Sequence, residues 1–246
     1  MDEELLRSMY YDQGLSVPEI ARRLGIPRST ISYCFYTKFG LKGRRPEDYP
    51  PREPRHIDLS PEALDILNGE LLGDGCLRQR SKQAAFFAYH TSCYEYLHYL
   101  VERLQVLGLE FGPLLEQKSP RGYTSWHVES KSYAELALLR QRWYPQGKKV
   151  VPGDFRLSPL TALHWYLGDG SLINISRGKS VVVLSTNAFS DDDRRRLLLH
   201  LHDAIGVLGV TDRQGRVIFA NSASMKKWFL YLPACPVRFY RYKWPQ

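Results

Sequence analysis

The sequence predicts a mixed α/β (α+β) fold: two αββαββα repeats related by a pseudo-two-fold axis, preceded by a small three-helix domain. Three observations predict it. An apolar helical segment runs into Gly-Asp-Gly twice, as "LNGELLGDGCL" at Leu67 and as "ALHWYLGDGSL" at Ala162. The segments that follow each copy match in order and spacing. The first 40 residues carry a separate helical pattern broken by glycines.

The chain has 246 residues, 43% of them hydrophobic, enough for more than one core. No apolar run approaches the length of a membrane span. The N-terminal "MDEELLRSMYYDQG" is acidic and then mixed, unlike a secretory signal. The 4 cysteines are scattered without CxxC spacing, which argues against a structural zinc site and a disulfide framework and is consistent with a reducing, intracellular setting. A net charge of +8 suits a polyanionic partner.

The elements of residues 1–40 follow from caps and periodicity. "DEELLRSMYYDQG" places Leu5, Leu6 and Met9 on one face and stops at Gly14. "SVPEIARRLG" opens with Ser16 and Glu19 as a capping box and closes at Gly25. "PRSTISYCFYTKFG" forms the third helix and ends at Gly40. Two helices joined at a glycine turn make a helix-turn-helix, and "YYDQGLSVPEIARRLGIPRSTIS" resembles the recombinase and transposase modules of that kind. The resemblance implies that Arg28, Ser29, Thr30 and Ser32 face base edges in the major groove, with Tyr33 and Lys38 further along. A protein-interaction module is the alternative. Residues 41–58, basic and rich in proline, form a stiff linker. Arg44 and Arg45 in "GRRP" suit a minor-groove arm, and a solvated tether is the bland reading.

Residues 59–153 and 154–246 are the repeats. Ser60-Pro61 and Ser158-Pro159 start their first helices as N-cap and first helical residue. Leu64, Leu67, Leu71 and Leu72 share one face of the first, and Leu160, Leu163 and Leu167 one face of the second. Thr91 and Thr186 follow their aspartates at the same interval. A second helix, alternating segments ("YTSWHVES", "GRVIFANS") and a third helix come next in both halves. Each half closes on a lysine, Lys149 and Lys243, at intervals from Asp74 and Asp169 that differ by one residue.

The paired "LNGELLGDG" and "ALHWYLGDG" motifs resemble those of the LAGLIDADG homing endonucleases, and "WYPQGKKVVP" and "RFYRYKW" resemble the closing segments of its intron-encoded branch. The resemblance covers residues 59–246. It implies a site-specific double-strand DNA endonuclease, acting as a monomer, whose strands form a saddle-like DNA-binding sheet.

The chemistry can be argued from the motifs. If the two helices pack side by side, small residues are needed at the contact, and Gly69, Gly73 and Gly168 supply them. Asp74 and Asp169 then meet, and two adjacent carboxylates repel unless a divalent cation such as Mg2+ neutralises them. The resemblance adds the backbone carbonyls of Gly73 and Gly168 as metal ligands. Lys149 and Lys243 would stabilise the transition state or order water; Lys148 adjoins Lys149, and the repeat spacing chooses between them. Surface lysines and plain helix caps are the alternative. Arg78, Arg80 and Lys82 alternate along a strand and suit a groove and its phosphates; the second half is less basic there, with Ile173 and Ile175 before Arg177 and Lys179. That asymmetry predicts unequal half-sites.

His164 departs from the motif, reads as a packed core residue, and is expected to loosen the helix pairing. Leu72 and Leu167 replace the motif's inner aspartate. Without a first-residue Cys or Ser and a terminal His-Asn pair, the chain does not resemble an intein. Two rivals share the scaffold: a catalytically inactive DNA-binding regulator, and a maturase that binds intron RNA. Duplex RNA has a major groove too deep and narrow for a helix, which favours DNA.

Overall fold

The computed structural model describes residues 1–44, 53–175 and 180–245. It divides into two compact units, 1–53 and 54–246. Arg45, Arg177 and Lys179 lie outside the described residues.

The first unit has three helical segments. α1 (Glu3–Arg7) continues as a π-helical turn over Ser8–Asp12. α2 (Val17–Leu24) starts at the Ser16/Glu19 capping box and stops at Gly25, whose φ of 66° is left-handed. α3 (Arg28–Ser32) continues as a π-helical stretch over Tyr33–Lys38. Leu6, Ile20, Ile31 and Phe35, all fully buried, form the centre of a core of its own. Arg44 does not extend from this unit as an arm. Its guanidinium lies 4.4 Å from the Tyr10 ring centre and donates to the Leu15 carbonyl at 3.0 Å.

The second unit has the expected double order. The first repeat comprises α4 (Pro61–Leu72), β1 (Cys76–Ser81), β2 (Ala84–Thr91), α5 (Tyr94–Val106), β3 (Leu115–Lys118), β4 (Thr124–Glu129) and α6 (Ala134–Trp143). The other comprises α7 (Pro159–Asp169), β5 (Gly170–Asn174), β6 (Ser180–Leu184), α8 (Asp191–Ile205), β7 (Val210–Thr211), β8 (Val217–Phe219) and α9 (Ser222–Tyr231). Each repeat builds a four-stranded antiparallel sheet, in orders β1-β2-β4-β3 and β5-β6-β8-β7. The serine caps form as expected: Ser60 accepts from the Ala63 amide and Ser158 from the Thr161 amide. The end of the expected linker belongs to this unit. The Arg55 carbonyl accepts from the Ala134 amide at 2.9 Å, and Glu135 accepts from the Ile57 amide at 3.0 Å.

α4 and α7 pack against each other at the centre of one continuous core. Thr161 donates across the contact to the Asp65 carbonyl at 3.0 Å. His164 lies within this close contact. A Cβ on Gly69 would lie 2.6 Å from the His164 Cβ and 2.6 Å from the Thr161 carbonyl oxygen, so the absent side chain lets the backbone close in. The imidazole is fully buried, with Nδ1 2.7 Å from Glu70 and 2.9 Å from the Tyr96 hydroxyl, which also donates to Glu70. One Glu70 oxygen and His164 Nε2 have no hydrogen-bond partner among the described residues. Low dielectric strengthens the bonds that form and penalises the groups left over, so this network is a costly part of the interface.

Candidate active site

The site lies where α4 and α7 end. Asp74 occupies the turn after α4, and Asp169 is the last residue of α7. The two backbones touch across the pseudo-axis. A Cβ on Gly73 would sit 3.6 Å from the Asp169 amide nitrogen, and one on Gly168 3.6 Å from that of Asp74. These are ordinary contact distances, so Gly73 and Gly168 are not the residues that sterics demand. The second glycine of each motif is more constrained: a Cβ on Gly75 would fall 2.8 Å from the Glu70 carbonyl, and one on Gly170 2.0 Å from the Tyr166 ring. The carboxylate therefore stands between a glycine at the helix contact and a glycine that lets the strand fold back over its own helix.

Neither carboxylate has a hydrogen-bond or ion-pair partner among the described residues. Burial pushes the Asp169 carboxyl up to about 7, the charge of Asp74 adds to this, and Lys149 and Lys243 oppose it. Asp74 keeps solvent access from the cleft, yet the surrounding protein raises its pKa, again against the pull of both lysines.

Both lysines are drawn inward rather than left on the surface. Lys149 follows a short 3-10 turn (Pro145–Gly147) and donates at 3.0 Å to the carbonyls of both Gly73 and Gly75. Lys148 is exposed, so the repeat spacing picked the inward lysine. Lys243, at the end of a 3-10 turn (Arg238–Lys243), is 5% exposed and donates to the Leu167 carbonyl at 2.7 Å. Burial lowers the pKa of both ammonium groups, Lys243 to about 8, and the two aspartates hold it back. Lys243 satisfies carbonyls in the last turn of α7, and Lys149 bonds the Gly73 cap carbonyl of α4 and that of Gly75 just beyond it; each places positive charge at the negative pole of its helix. The equivalence is not complete, because Lys149 takes the Gly73 carbonyl while Lys243 bonds residues before Gly168.

Sequence reasoning missed Tyr89. Its buried hydroxyl lacks a partner among the described residues and lies 3.8 Å from the position of a Cβ on Gly168. Burial and the charges of Glu70, Asp74 and Asp169 raise its pKa well above the usual phenol value. Alternation along β2 marks it as inward-facing, but only the tertiary packing sets it beside the aspartates.

The donor set suits a hard divalent cation: two neighbouring carboxylates with raised pKa values, backbone carbonyls, of which that of Gly73 already accepts from Lys149, and a phenol oxygen without a partner among the described residues. Among the described residues no group of three or more His, Cys, Asp or Glu side chains is placed to hold an ion. A cation here would depend on the two aspartates and on non-carboxylate oxygens.

The open face of the first sheet continues from Asp74. A depression of about 550 Å³ is lined by Asp74, Arg78, His90, Gln117, His127 and Glu129, among others. Arg78 and Arg80 are exposed on β1, while Lys82 lies beyond it in the β1–β2 turn, after a register shift between Gln79 and Ser81. The bulge breaks the alternation that put Lys82 on the arginines' face. His90, Gln117, His127 and Glu129 were not anticipated, although their place in the strand alternation carried the signal. In the first unit Arg28, Ser29, Thr30, Tyr33 and Lys38 are exposed and Ser32 is half-buried.

Two αββαββα repeats meeting at paired Gly-Asp ends define the class. The pattern of the LAGLIDADG DNA endonuclease family matches residues 64–228, and the chain belongs to that family. An uncharacterised protein, MJ1098 of Methanocaldococcus jannaschii, is 30% identical over 193 residues, covering 76% of this chain and 73% of its own. The cytochrome b mRNA maturase bI2 of Debaryomyces hansenii is 28% identical over 158 residues, covering 58% of this chain and 56% of the maturase. Among solved structures, the homing endonuclease I-WcaI bound to its DNA recognition sequence superposes with a TM-score of 0.65 at 17% identity, covering 84% of this chain and 95% of that one. That likeness establishes the fold. No helix among the described residues is long and apolar enough to cross a membrane.

Proposed function

We propose that the chain is a site-specific endonuclease that hydrolyses both strands of double-stranded DNA as a monomer with internal pseudo-two-fold symmetry. The observation that carries this reading is the meeting of Asp74 and Asp169, each flanked by an inward lysine. Asp74 and Asp169 would hold divalent metal, Mg2+ in the first instance, with the carbonyls of Gly73 and Gly168 as further donors. A metal bound there supplies Lewis-acid polarisation of the phosphate and a lowered pKa for water.

The chain's own groups do the rest. Water attacks the phosphorus in line with the departing 3′ oxygen; the attacking water gives up a proton to solvent, the P–O3′ bond breaks, and the 3′ oxygen takes a proton from solvent to leave as a hydroxyl. Lys149 and Lys243, one for each strand, neutralise charge that grows on the phosphate as the new P–O bond forms. Arg78 and Arg80 contact the duplex from the first sheet. The first unit is read as a helix-turn-helix that adds contacts through Arg28, Ser29, Thr30, Ser32, Tyr33 and Lys38.

The test is cleavage of the chain's own insertion-free locus in magnesium. Asp74→Asn and Asp169→Asn should each abolish double-strand cleavage while DNA binding persists; full cleavage by either variant overturns the shared-metal reading. The kinship with a maturase supports a second reading, in which the same scaffold binds intron RNA and assists splicing. Splicing assistance that survives in Asp74→Asn, from a wild-type chain that cuts no DNA, would favour it.

A further inference from the structure

The two sheets are equivalent in register but opposite in chemistry. Ala88 pairs with Cys76 and Glu129, and Val183 pairs with Ser171 and Ile218. With that anchor, Arg78 corresponds to Ile173, Arg80 to Ile175, Phe86 to Val181 and Glu129 to Ile218. The inward face of both sheets is core: Leu77, Phe87, Tyr89 and Val128 in the first, Val182, Leu184, Val217 and Phe219 in the second. The open face differs. In the first sheet Arg78 and Glu129 approach to 3.7 Å as an ion pair. In the second their counterparts are two isoleucines.

The aliphatic residues are contiguous. Ile173 lies opposite Val181, Val183 opposite Ile218, and Ile218 opposite Val210. Ile173 is 44% exposed, Ile175, just past the end of β5, 52% and Val210 60%; Val181 and Ile218 between them are half-buried, and Val183 is 4% exposed. Single exposed aliphatics need no explanation, but a cross-strand patch of them marks an interaction surface.

We propose that this face recognises the C5-methyl groups of thymine in the major groove; the proposal rests on the endonuclease reading above. The occupant follows from continuity. The open face of β5 starts at Ser171 and reaches Ile173 four residues after Asp169, as that of β1 starts at Cys76 and reaches Arg78 four residues after Asp74. A duplex lying across the two aspartates therefore meets both faces. Arg213, exposed in the turn between β7 and β8, provides a phosphate contact at the rim. In the major groove the apolar feature of the base edges is the thymine methyl. Aliphatic side chains would also leave the amino and carbonyl groups of G·C pairs dehydrated and unpaired, which selects against them. The first half reads its bases by hydrogen bonds, and the second reads shape and methyl groups.

The experiment is selection of bound sites from a randomised duplex pool with the full chain. Selected thymines are then replaced by uracil, which lacks only the methyl, in one half-site at a time. The double variant Ile173→Arg, Ile218→Glu installs the residues of the first sheet at one exposed and one half-buried position and identifies the half read by the second sheet. In that half the selection should be rich in T·A pairs, and uracil should weaken binding by about three- to fourfold per methyl removed. The other half should be nearly indifferent, and the double variant should lose the uracil sensitivity. Sequence-specific binding that ignores uracil in the second half overturns this inference and leaves the endonuclease reading standing. Uracil indifference together with self-association that the double variant abolishes assigns the patch to a protein contact and likewise overturns it. If no duplex is selected over competitor DNA, the endonuclease reading itself fails and this inference falls with it.

Discussion

Asp169 ends α7 with a carboxyl held at about 7 by burial and by its neighbour Asp74, against an ordinary value of 3.8. A raised carboxyl pKa means that the fold favours the protonated form. Below about pH 4 both folded and unfolded states are protonated at this group. As pH rises from there to 7, the unfolded chain releases the proton while the folded one retains it, so this group's contribution to stability falls through that window. Asp169→Asn has no charge to bury. Calorimetric melting of the metal-free proteins between pH 4 and 8 should therefore show the wild type losing melting temperature relative to the variant, most steeply below pH 7. Parallel curves would mean that the carboxyl is not held in this environment. A divalent cation acts in the opposite direction, since it binds the ionised form.

The α4–α7 contact depends on one small residue more than on the motif glycines. Gly69→Ala places a methyl 2.6 Å from both the His164 Cβ and the Thr161 carbonyl oxygen, neither of which is the free end of a side chain. Two effects oppose each other. Alanine in a helix gains about 1 kcal/mol over glycine, whereas overpacking a tight contact costs about 1–3 kcal/mol. The clash involves backbone, so the second effect should win, and urea denaturation should show a net loss. A stabilised variant would mean that the helices can part without penalty. Gly168→Ala, at 3.6 Å or more from its nearest neighbours, should show no comparable loss. The Glu70–His164–Tyr96 network lies in the same contact, so a displaced His164 would also loosen groups buried away from water.

The two compact units have separate cores, one around Leu6, Ile20 and Phe35 and one around the α4–α7 pair. Deleting residues 1–53 should leave the unfolding transition of the remainder unchanged by circular dichroism. If the first unit binds DNA as proposed, the same deletion should weaken affinity for an extended site. It should also flatten the fall of affinity with salt by about 0.9 logarithmic unit for each phosphate that the first unit neutralises. Unchanged affinity and slope would remove the first unit from the DNA reading, while a collapsed transition would show that the units depend on one another for stability.

The sequence alone determined the doubled αββαββα order, the serine-proline helix starts and the places of Asp74 and Asp169 at the two helix ends; its spacing also preferred Lys149, which lies inward, to the exposed Lys148. These are local or periodic properties: caps, hydrophobic spacing and equal intervals survive in one dimension. It also named Gly69 as a contact residue but gave Gly73 and Gly168 the same weight, because the facing atoms belong to a distant part of the chain. It put Lys82 on the face of the arginines, since a bulge does not show in an alternating pattern. It left Arg44 as a free arm, although the Tyr10 ring and the Leu15 carbonyl hold it. The sequence showed the contrast of Ile173 and Ile175 with the arginines, but Tyr89, the Glu70–His164 pairing and the cross-strand partners of those isoleucines were decided only by tertiary structure. Each depends on which residues meet across helices or strands far apart in the chain, and no spacing rule within one segment records that.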